Sequence, residues 1–134
     1  GLNDIIPRSS PVQVPGTQWE TFNMGTYSAM GTKTDGTLWV WGYNSNGILG
    51  LNNAIYYSSP VQLPGTSWDE PIASFNTASC TKTDGTLWTW GVNDYGMMAN
   101  NAYGAPTYSS PIQVPGTEWS RPAGKVYNKF AIKE

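Results

Sequence analysis

The feature that most constrains the fold of this chain is an eleven-residue stretch that occurs twice. Residues 32–42 read TKTDGTLWVWG and residues 81–91 read TKTDGTLWTWG, so ten of eleven positions match at a separation of 49 residues. A second stretch, SSPVQVPGT at residues 9–17, returns at 58–66 and 109–117 with one substitution each. Repeats of about 20–50 residues indicate an array of supersecondary units that pack on their neighbours. The sequence therefore predicts a repeat array.

Each unit carries the local signals of β-strands. Asp35 and Gly36 predict a two-residue hairpin turn, because glycine adopts positive φ without steric penalty. After the turn, residues 38–41 (LWVW) alternate aliphatic and aromatic side chains, so both strand faces are apolar, as in a sheet packed between two others. About four short strands in each repeat of about 50 residues is the spacing of a propeller blade. We expect the strand tryptophans to be largely buried: Trp39, Trp41, Trp88 and Trp90.

The composition agrees with an all-β fold. Charged residues are 12% of the 134 residues, against a usual share of about 25%, and aromatic residues are 13%. Disordered chains are poor in aromatic residues and rich in charge, so disorder is not expected. The 15 glycines and 10 prolines disfavour long helices.

The same composition removes several classes of chemistry. The chain has no histidine, so Ser-His-Asp and Cys-His catalysis are excluded, and zinc lacks its commonest nitrogen ligand. Asp35 and Asp84 are the obvious carboxylate pair, but they occupy the same turn in successive units and are interpreted as structural. The sequence predicts no catalytic residue, no metal site and no cofactor. A net charge of −2 without a basic stripe predicts no nucleic-acid partner, and no apolar run is long enough to span a membrane.

The spaced motifs of the repeats point to a known family. DGTLWVWGYNSNGILG at residues 35–50, followed by SSPVQLPGTSW at 58–68, resembles the RCC1-type repeat, whose signature is an aromatic strand running into a W-G-x-N-x-x-G-x-L-G turn. The second copy departs from it at Met98 and Ala99. The resemblance covers essentially the whole chain and implies a β-propeller, usually of about seven blades. We expect an all-β segment of an RCC1-like propeller, with about two and two-thirds four-stranded blades.

The repeats also predict how the chain is organised. We expect one array over residues 1–134, with a partial repeat at 1–31, repeats at 32–80 and 81–131, and the start of another at 132–134. Because both ends align with the middle of a repeat, we expect a segment of a larger propeller. The alternative is a short chain that closes a ring by self-association. Either the other blades of the larger propeller or further copies of this chain would cover the apolar faces of the terminal units.

Positions that differ between repeats are the candidates for binding, because rigid scaffolds place specificity in their loops. The variable loops follow the W-G motif and precede the SSP stretch. Tyrosine suits such loops, since it offers contact area and a hydroxyl at low entropic cost. The alternative, that these positions merely vary at the surface, stays open. The candidate binding residues are Tyr43, Asn46, Tyr56, Tyr57, Asp94, Tyr95, Tyr103 and Tyr108.

These features favour a non-enzymatic structural or binding scaffold of a larger surface protein, extracellular or on a virion, with a protein or surface glycan as partner. Uncharged polar residues carry the surface polarity, and the motifs resemble RCC1-like arrays of bacteriophages and environmental bacteria. The alternative implied by the resemblance is a guanine-nucleotide-exchange factor or another intracellular regulator of the RCC1 type. The chain shows no long insertion or basic arm for that role. A propeller enzyme, with acid, base or metal groups at the central channel, is the third and least supported alternative.

Overall fold

The computed structural model describes the backbone of residues 1–100, 107–125 and 128–133, and the side chains within 1–94, 96–100 and 107–120. Within those ranges the regular structure is β-strand, with a single 3-10 turn at Asp94–Gly96. The strands are β1 (Trp19–Met24), β2 (Ser28–Lys33), β3 (Leu38–Gly42), β4 (Tyr57–Leu63), β5 (Trp68–Ala73), β6 (Thr77–Lys82), β7 (Leu87–Gly91), β8 (Tyr108–Val114), β9 (Trp119–Lys125) and β10 (Asn128–Lys133). None of the described residues belongs to a helix that could cross a membrane.

The strands form successive antiparallel sheets in chain order. The first sheet is β1-β2-β3-β4, the second is β5-β6-β7-β8, and β9 pairs with β10 in a third. In each complete sheet the third strand ends in the W-G motif, and the fourth strand comes from the following SSP stretch. The predicted all-β fold built from four-stranded units is therefore confirmed.

The hairpin between β2 and β3 differs from the predicted two-residue turn. Lys33 N donates to Thr37 O at 3.0 Å and Gly36 N donates to Lys33 O at 2.8 Å, so residues 34–36 form a three-residue loop. A type I′ turn needs positive φ at both central residues, but only Gly36 has it, at 75°. The Asp35 carboxylate instead accepts hydrogen bonds from the amide and hydroxyl of Thr37, which fix a turn that aspartate tolerates. The hairpin between β6 and β7 has the same bonds.

Adjacent sheets pack through two unlike faces. The first sheet contributes mainly aliphatic residues and the second contributes tryptophans to one core: Met30, Leu38, Val40, Ile48, Leu49, Leu63, Trp68, Ala73, Ala78, Cys80 and Trp90. Trp90 is fully buried, and its Nε1 donates to the main-chain oxygen of Ile48 at 2.7 Å. A Cβ at Gly50 would lie 3.0 Å from Trp90 Nε1, so a glycine at this position admits the indole. The tryptophan of the W-G motif and the glycine of the preceding L-G pair are therefore the residues through which the two sheets stack.

The burial of the strand tryptophans is only partly as expected. Trp41 and Trp90 are buried, whereas Trp39 and Trp88 are half-buried. Trp39 and Trp88 lie in the first half of their strands, near the hairpin, where a lysine lies over the rings: Lys33 Nζ is 4.3 Å from the ring centroid of Trp39 and 5.0 Å from that of Trp19. Lys82 repeats this arrangement in the second sheet. A lysine ammonium over an indole face is favourable even while the ammonium stays hydrated. The hairpin edge of each sheet can therefore remain in contact with water.

Residues 9–14 have nearly the same sequence as the greater part of β4 but form no strand. β4 is hydrogen-bonded to β3, whereas no described strand lies beside residues 9–14, and a strand needs a neighbour for its ladder. The preceding loop still makes the contact that links successive repeats. Asn3 N donates to Ser58 O at 2.9 Å, as Asn52 N donates to Ser109 O at 2.7 Å.

Candidate functional site

The variable loops lie together at one end of the sheets. In the first sheet, Tyr43 N donates to Tyr27 O at 2.9 Å, so the loop after the W-G motif packs beside the loop that joins β1 to β2. Val92 N makes the same bond to Asn76 O in the second sheet, also at 2.9 Å. We call this end the loop end. The tight hairpins that carry Asp35 and Asp84 join the opposite ends of these antiparallel strands.

Four aromatic side chains stand in a continuous line at the loop end, and we call them the aromatic row: Phe75, Tyr27, Tyr43 and Tyr56. Their consecutive ring centroids are 6.2, 5.9 and 4.8 Å apart, and the rings are tilted by 58°, 57° and 36°. Tyr27 is 65% exposed and Tyr56 is 58% exposed. Tilted contacts at these distances stabilise each pair by about 0.5–1.5 kcal/mol beyond simple burial. The row is therefore an exposed apolar surface held in place by its own ring contacts.

Tyr27 and Tyr43 form a ridge between two open hollows. The first hollow has a volume of about 390 Å³ and is completed by Asn46, Phe75 and Asn76. The second has a volume of about 460 Å³, and its further lining includes Gly1, Asp4, Ile5, Trp41, Tyr56 and Tyr57. Asp4 carries the one charged side chain of either lining among the described residues, and it pairs with Arg8 at 2.6 Å. The surface is therefore apolar and nearly neutral.

An amide pair crosses from one sheet to the next beside the ridge. Asn46 Nδ2 donates to Asn76 Oδ1 at 3.0 Å. Asn46 belongs to the loop after the first W-G motif, and Asn76 belongs to the loop between β5 and β6. The pair therefore fixes the relative position of the two loops that form the first hollow.

Buried asparagines hold the loop that follows each W-G motif. Asn44 is fully buried, its Oδ1 accepts from Leu49 N at 2.8 Å, and its Nδ2 donates to Asn53 O at 3.0 Å. Asn93 plays the equivalent part, accepting from Met98 N at 3.0 Å. This role explains the asparagine of the W-G-x-N motif. The loops at this end are therefore anchored from inside.

Three of the predicted binding residues lie in or beside the aromatic row: Tyr43, Asn46 and Tyr56. Asp94, also predicted, is exposed at the start of the 3-10 turn in the loop of the second sheet. The side chain of Tyr95 and the whole of Tyr103 lie outside the described residues. The structure therefore brings the first-sheet candidates together.

The remaining two predicted residues, Tyr57 and Tyr108, occupy equivalent places in the two sheets. The hydroxyl of Tyr57 accepts from Asn53 Nδ2 at 3.2 Å, and that of Tyr108 accepts from Asn100 Nδ2 at 3.1 Å. Each hydroxyl thus helps to anchor its own loop. Tyr57 also lines the second hollow. A binding role for these six described candidates stays a prediction.

Sequence reasoning missed Tyr27, Phe75 and Asn76, which complete the row and the amide pair. All three lie in the short loops between the first two strands of each sheet. A signal was present, because Tyr27 aligns with Asn76 and Phe75 aligns with Thr26 when the repeats are superposed. These positions vary as the longer loops do, and they are brought beside those loops only by the fold.

Among the described residues, no three acidic or cysteine side chains come close enough together to hold a metal ion. Partial desolvation, followed by the neighbouring Tyr43 hydroxyl, raises the pKa of Tyr56 above its usual value. Burial strongly raises the pKa of the Cys80 thiol, which is fully buried between the sheets. The Thr37 hydroxyl and amide lower the pKa of Asp35, and Thr86 does the same for Asp84. The raised pKa keeps the Tyr56 hydroxyl protonated near neutral pH.

Comparisons with known proteins agree with the repeat and with the fold. Residues 35–75 match the family model described as the regulator of chromosome condensation (RCC1) repeat. A search of curated proteins found no match. The solved structures that resemble the chain include human WBSCR16, with a TM-score of 0.70 and 18% identity over 86% of this chain and 30% of that one.

Two further similar structures come from yeast. One is yeast RCC1 (Prp20) bound to Kap60, with a TM-score of 0.72 and 16% identity over 86% of this chain and 30% of the other. The other is Prp20p from Saccharomyces cerevisiae, with a TM-score of 0.69 and 13% identity over 92% of this chain and 31% of the other. The chain thus spans about a third of the length of these structures. The resemblance inferred from the repeats is confirmed: residues 35–75 carry an RCC1 repeat, and the chain has the fold of part of an RCC1-type β-propeller.

Proposed function

We propose that this chain is a non-enzymatic binding scaffold that holds a partner protein at its loop end through the aromatic row. The observation that carries the proposal is the unbroken contact of four exposed aromatic rings contributed by different loops of two sheets. Clustered apolar surface on a rigid frame is typical of interaction sites. Tyrosine is favoured there because it adds contact area and a hydroxyl with few rotatable bonds.

The row is not part of the repeated frame, which supports a role beyond folding. Tyr43 is replaced by Val92 in the next sheet and Tyr27 by Asn76, whereas the core tryptophans recur at equivalent positions. A residue needed for stacking is needed in every unit, but a residue needed for a partner is needed once. The aromatic row is therefore the better candidate for function.

The described titratable groups support a non-enzymatic role. The carboxylates of Asp35 and Asp84 lie in hairpin turns at the opposite end from the hollows, and their pKa values are lowered by threonine hydrogen bonds. Cys80 is buried and its pKa is raised, which opposes formation of the nucleophilic thiolate. Binding at the hollows uses none of these groups.

A protein is the partner class that the comparisons favour. Yeast RCC1 (Prp20) is bound to Kap60 in one similar structure, and another concerns the binding of Prp20p to Gsp1p and histones. A surface glycan is the alternative partner. Placement on an extracellular or virion surface rests on the low charge of the chain and on the sequence resemblance to phage arrays. Nucleotide exchange has no separate observation in its favour.

We also propose that the tryptophan face of the first sheet receives another blade, from a longer chain or from a second copy. Trp19, Phe22 and Trp41 form one aromatic cluster there, and Phe22 is 51% exposed. The matching face of the second sheet packs on the aliphatic face of the first. Sedimentation of the purified chain distinguishes the two sources, because a second copy requires an oligomer.

The binding proposal is tested by selecting ligands from a random peptide display library and by probing a glycan array with the same 134-residue chain. The affinity of each recovered ligand is then measured for the unmodified chain and for the double variant Tyr27→Ala with Tyr43→Ala. We expect binding to weaken at least about tenfold, the effect of removing central aromatic contacts. The matched control is Val92→Ala, which changes the residue equivalent to Tyr43 outside the row. Ligands that bind the double variant as tightly as the unmodified chain would contradict the proposal.

A further inference from the structure

We infer that Asn46 is a site of spontaneous deamidation, and that its hydrogen bond to Asn76 controls how fast the reaction proceeds. Asn46 is the one asparagine of the 134 residues that precedes a glycine, and the equivalent residue of the next repeat, Tyr95, has no amide. Because glycine has no Cβ, its amide nitrogen approaches the preceding side chain with the least steric hindrance. The reaction needs no ligand, so the inference stands apart from the proposed binding function.

The reaction consumes water and releases ammonia. Gly47 N loses its proton and attacks Cγ of Asn46, so that a new N–Cγ bond closes a cyclic imide. The Cγ–Nδ2 bond breaks, and Nδ2 leaves as ammonia after gaining a proton. Water then opens the imide at either carbonyl carbon and leaves aspartate or isoaspartate in the main chain. Either product carries a carboxylate where Asn46 carried an amide.

Two hydrogen bonds oppose this reaction in the folded chain. Gly47 N, the attacking atom, donates to Asn44 O at 3.0 Å, and Gly47 is buried. Asn46 Nδ2, the leaving group, donates to Asn76 Oδ1 at 3.0 Å. The attack therefore requires both bonds to open. A reaction that the closed native state opposes proceeds at a rate set by such local opening.

The bond to Asn76 is the one that depends on the neighbouring sheet. Asn44 belongs to the same loop as Gly47, whereas Asn76 lies between β5 and β6 of the second sheet. The main-chain oxygen of Asn76 accepts from Val92 N at 2.9 Å, which holds its loop in place. Asn46 itself is half-buried, so water has access to its side chain. The contact between the sheets therefore protects Asn46 from deamidation.

Deamidation would release the loop from the second sheet. A carboxylate has no N–H group, so residue 46 would no longer donate to Asn76 Oδ1. It would also place a negative charge at the first hollow, whose described lining has no charged side chain. Isoaspartate adds a carbon atom to the main chain beside Gly47, where the loop is tightly packed: a Cβ on Gly47 would lie 2.7 Å from Ser109 Cα. We therefore expect the modified loop to lose its fixed position.

Peptide mapping by mass spectrometry tests the inference. The unmodified chain is incubated in a mildly alkaline buffer with and without guanidinium chloride, and the folded Asn76→Ala variant is incubated beside it. We expect Asn46 to be the first residue modified in every sample. Deamidation should be at least about tenfold faster in denaturant than in the folded chain. It should also be about threefold or more faster in folded Asn76→Ala than in the folded unmodified chain, because the leaving group is no longer held.

The matched control is Asn76→Asp, which keeps an acceptor oxygen for Asn46 Nδ2 and should react as slowly as the unmodified chain. Both variants leave the main-chain bond to Val92 in place and are expected to fold, which near-ultraviolet circular dichroism checks. Modification that begins at another asparagine would overturn the assignment of the site. Equal rates in folded Asn76→Ala and the folded unmodified chain would overturn the protective role of Asn76.

Discussion

The indole of Trp90 in the second sheet donates a 2.7 Å hydrogen bond to the main-chain oxygen of Ile48 in a loop of the first. Both residues are buried, so this bond joins the repeats inside their common core. It ties the W-G motif of one unit to the G-x-L-G turn of the unit before it. The two halves of the repeated signature are therefore complementary parts of one interface.

Substitution of Trp90 should show how much this interface contributes. Trp90→Ala should lower the free energy of unfolding by about 3–5 kcal/mol, because it leaves a large cavity between the sheets. Trp90→Phe should lower it by about 1–3 kcal/mol, since Ile48 O loses its donor. Urea unfolding measures both. The control is Trp88→Phe, whose indole bonds only to Thr86 at a half-buried edge and should matter less. Equal effects at positions 88 and 90 would contradict the stacking account.

The glycine that ends β7 should tolerate no side chain. Gly91 has a φ of 101°, and a Cβ there would overlap the main-chain oxygen of Asn76. Gly91→Ala should therefore destabilise the fold by about 2–4 kcal/mol, combining backbone strain with overpacking. Gly96→Ala is the matched control, because Gly96 has a φ of 73° but open space around it, and it should lose only about 1 kcal/mol. Thermal unfolding ranks the two, and a reversed order would contradict the geometry.

The hairpin aspartates should make the free energy of unfolding fall as the pH is lowered into the acid range. Hydrogen bonds from the Thr86 hydroxyl and amide lower the pKa of Asp84 below its ordinary value of 3.8. Its contribution is therefore present above the unfolded pKa and is lost as the pH falls through the folded pKa. We expect Asp84→Asn to be less stable than the unmodified chain at pH 7, and the difference to vanish in strong acid. In Thr86→Val, which removes the hydroxyl and keeps the amide, NMR titration should show the pKa of Asp84 shifted upward, towards its ordinary value. A difference that grows in acid would oppose this assignment.

The reactivity of the buried Cys80 thiol measures whether the core between the sheets is closed. Cys80 has no solvent exposure, and burial raises its pKa. We expect iodoacetamide at pH 8 to leave the folded chain unlabelled and to label it fully in urea. In a Cys80→Ala background, Ser45→Cys at the exposed loop end should react at once and serve as the positive control. Rapid labelling of Cys80 under native conditions would show that the sheets do not stack as described.

The repeats made the fold predictable, because stacking needs the same residues in each unit. The prediction of a two-residue turn was wrong because an Asp-Gly pair such as Asp35-Gly36 is compatible with both a two-residue and a three-residue hairpin loop. The carboxylate bonds to Thr37, which sequence alone does not show, select the longer loop. The partial exposure of Trp39 and Trp88 was missed because a period-two pattern shows which face of a strand is apolar but not how far a neighbouring sheet covers that face.

The candidate site was predictable only where variation was visible within one loop. Tyr43, Asn46 and Tyr56 stood out because they lie in the loop that differs most between repeats. Tyr27 and Phe75 did not, because each is a single residue in a short connection and joins the row only through tertiary packing. Residues 9–14 also show an effect of tertiary context. Nearly the same sequence forms most of β4, where β3 pairs with it, but forms no strand at residues 9–14, where no described strand pairs with it.

The most direct test of the central claim is an NMR titration of the chain, labelled in its tyrosine, phenylalanine and tryptophan rings, with a peptide selected on it. The account predicts that the shifts concentrate on Phe75, Tyr27, Tyr43 and Tyr56, while Tyr108 in the next sheet stays unchanged. Shifts confined to Tyr108, or to the tryptophans near the hairpins, would contradict it. Saturable binding with no change in the aromatic row would show that this protein meets its partner elsewhere.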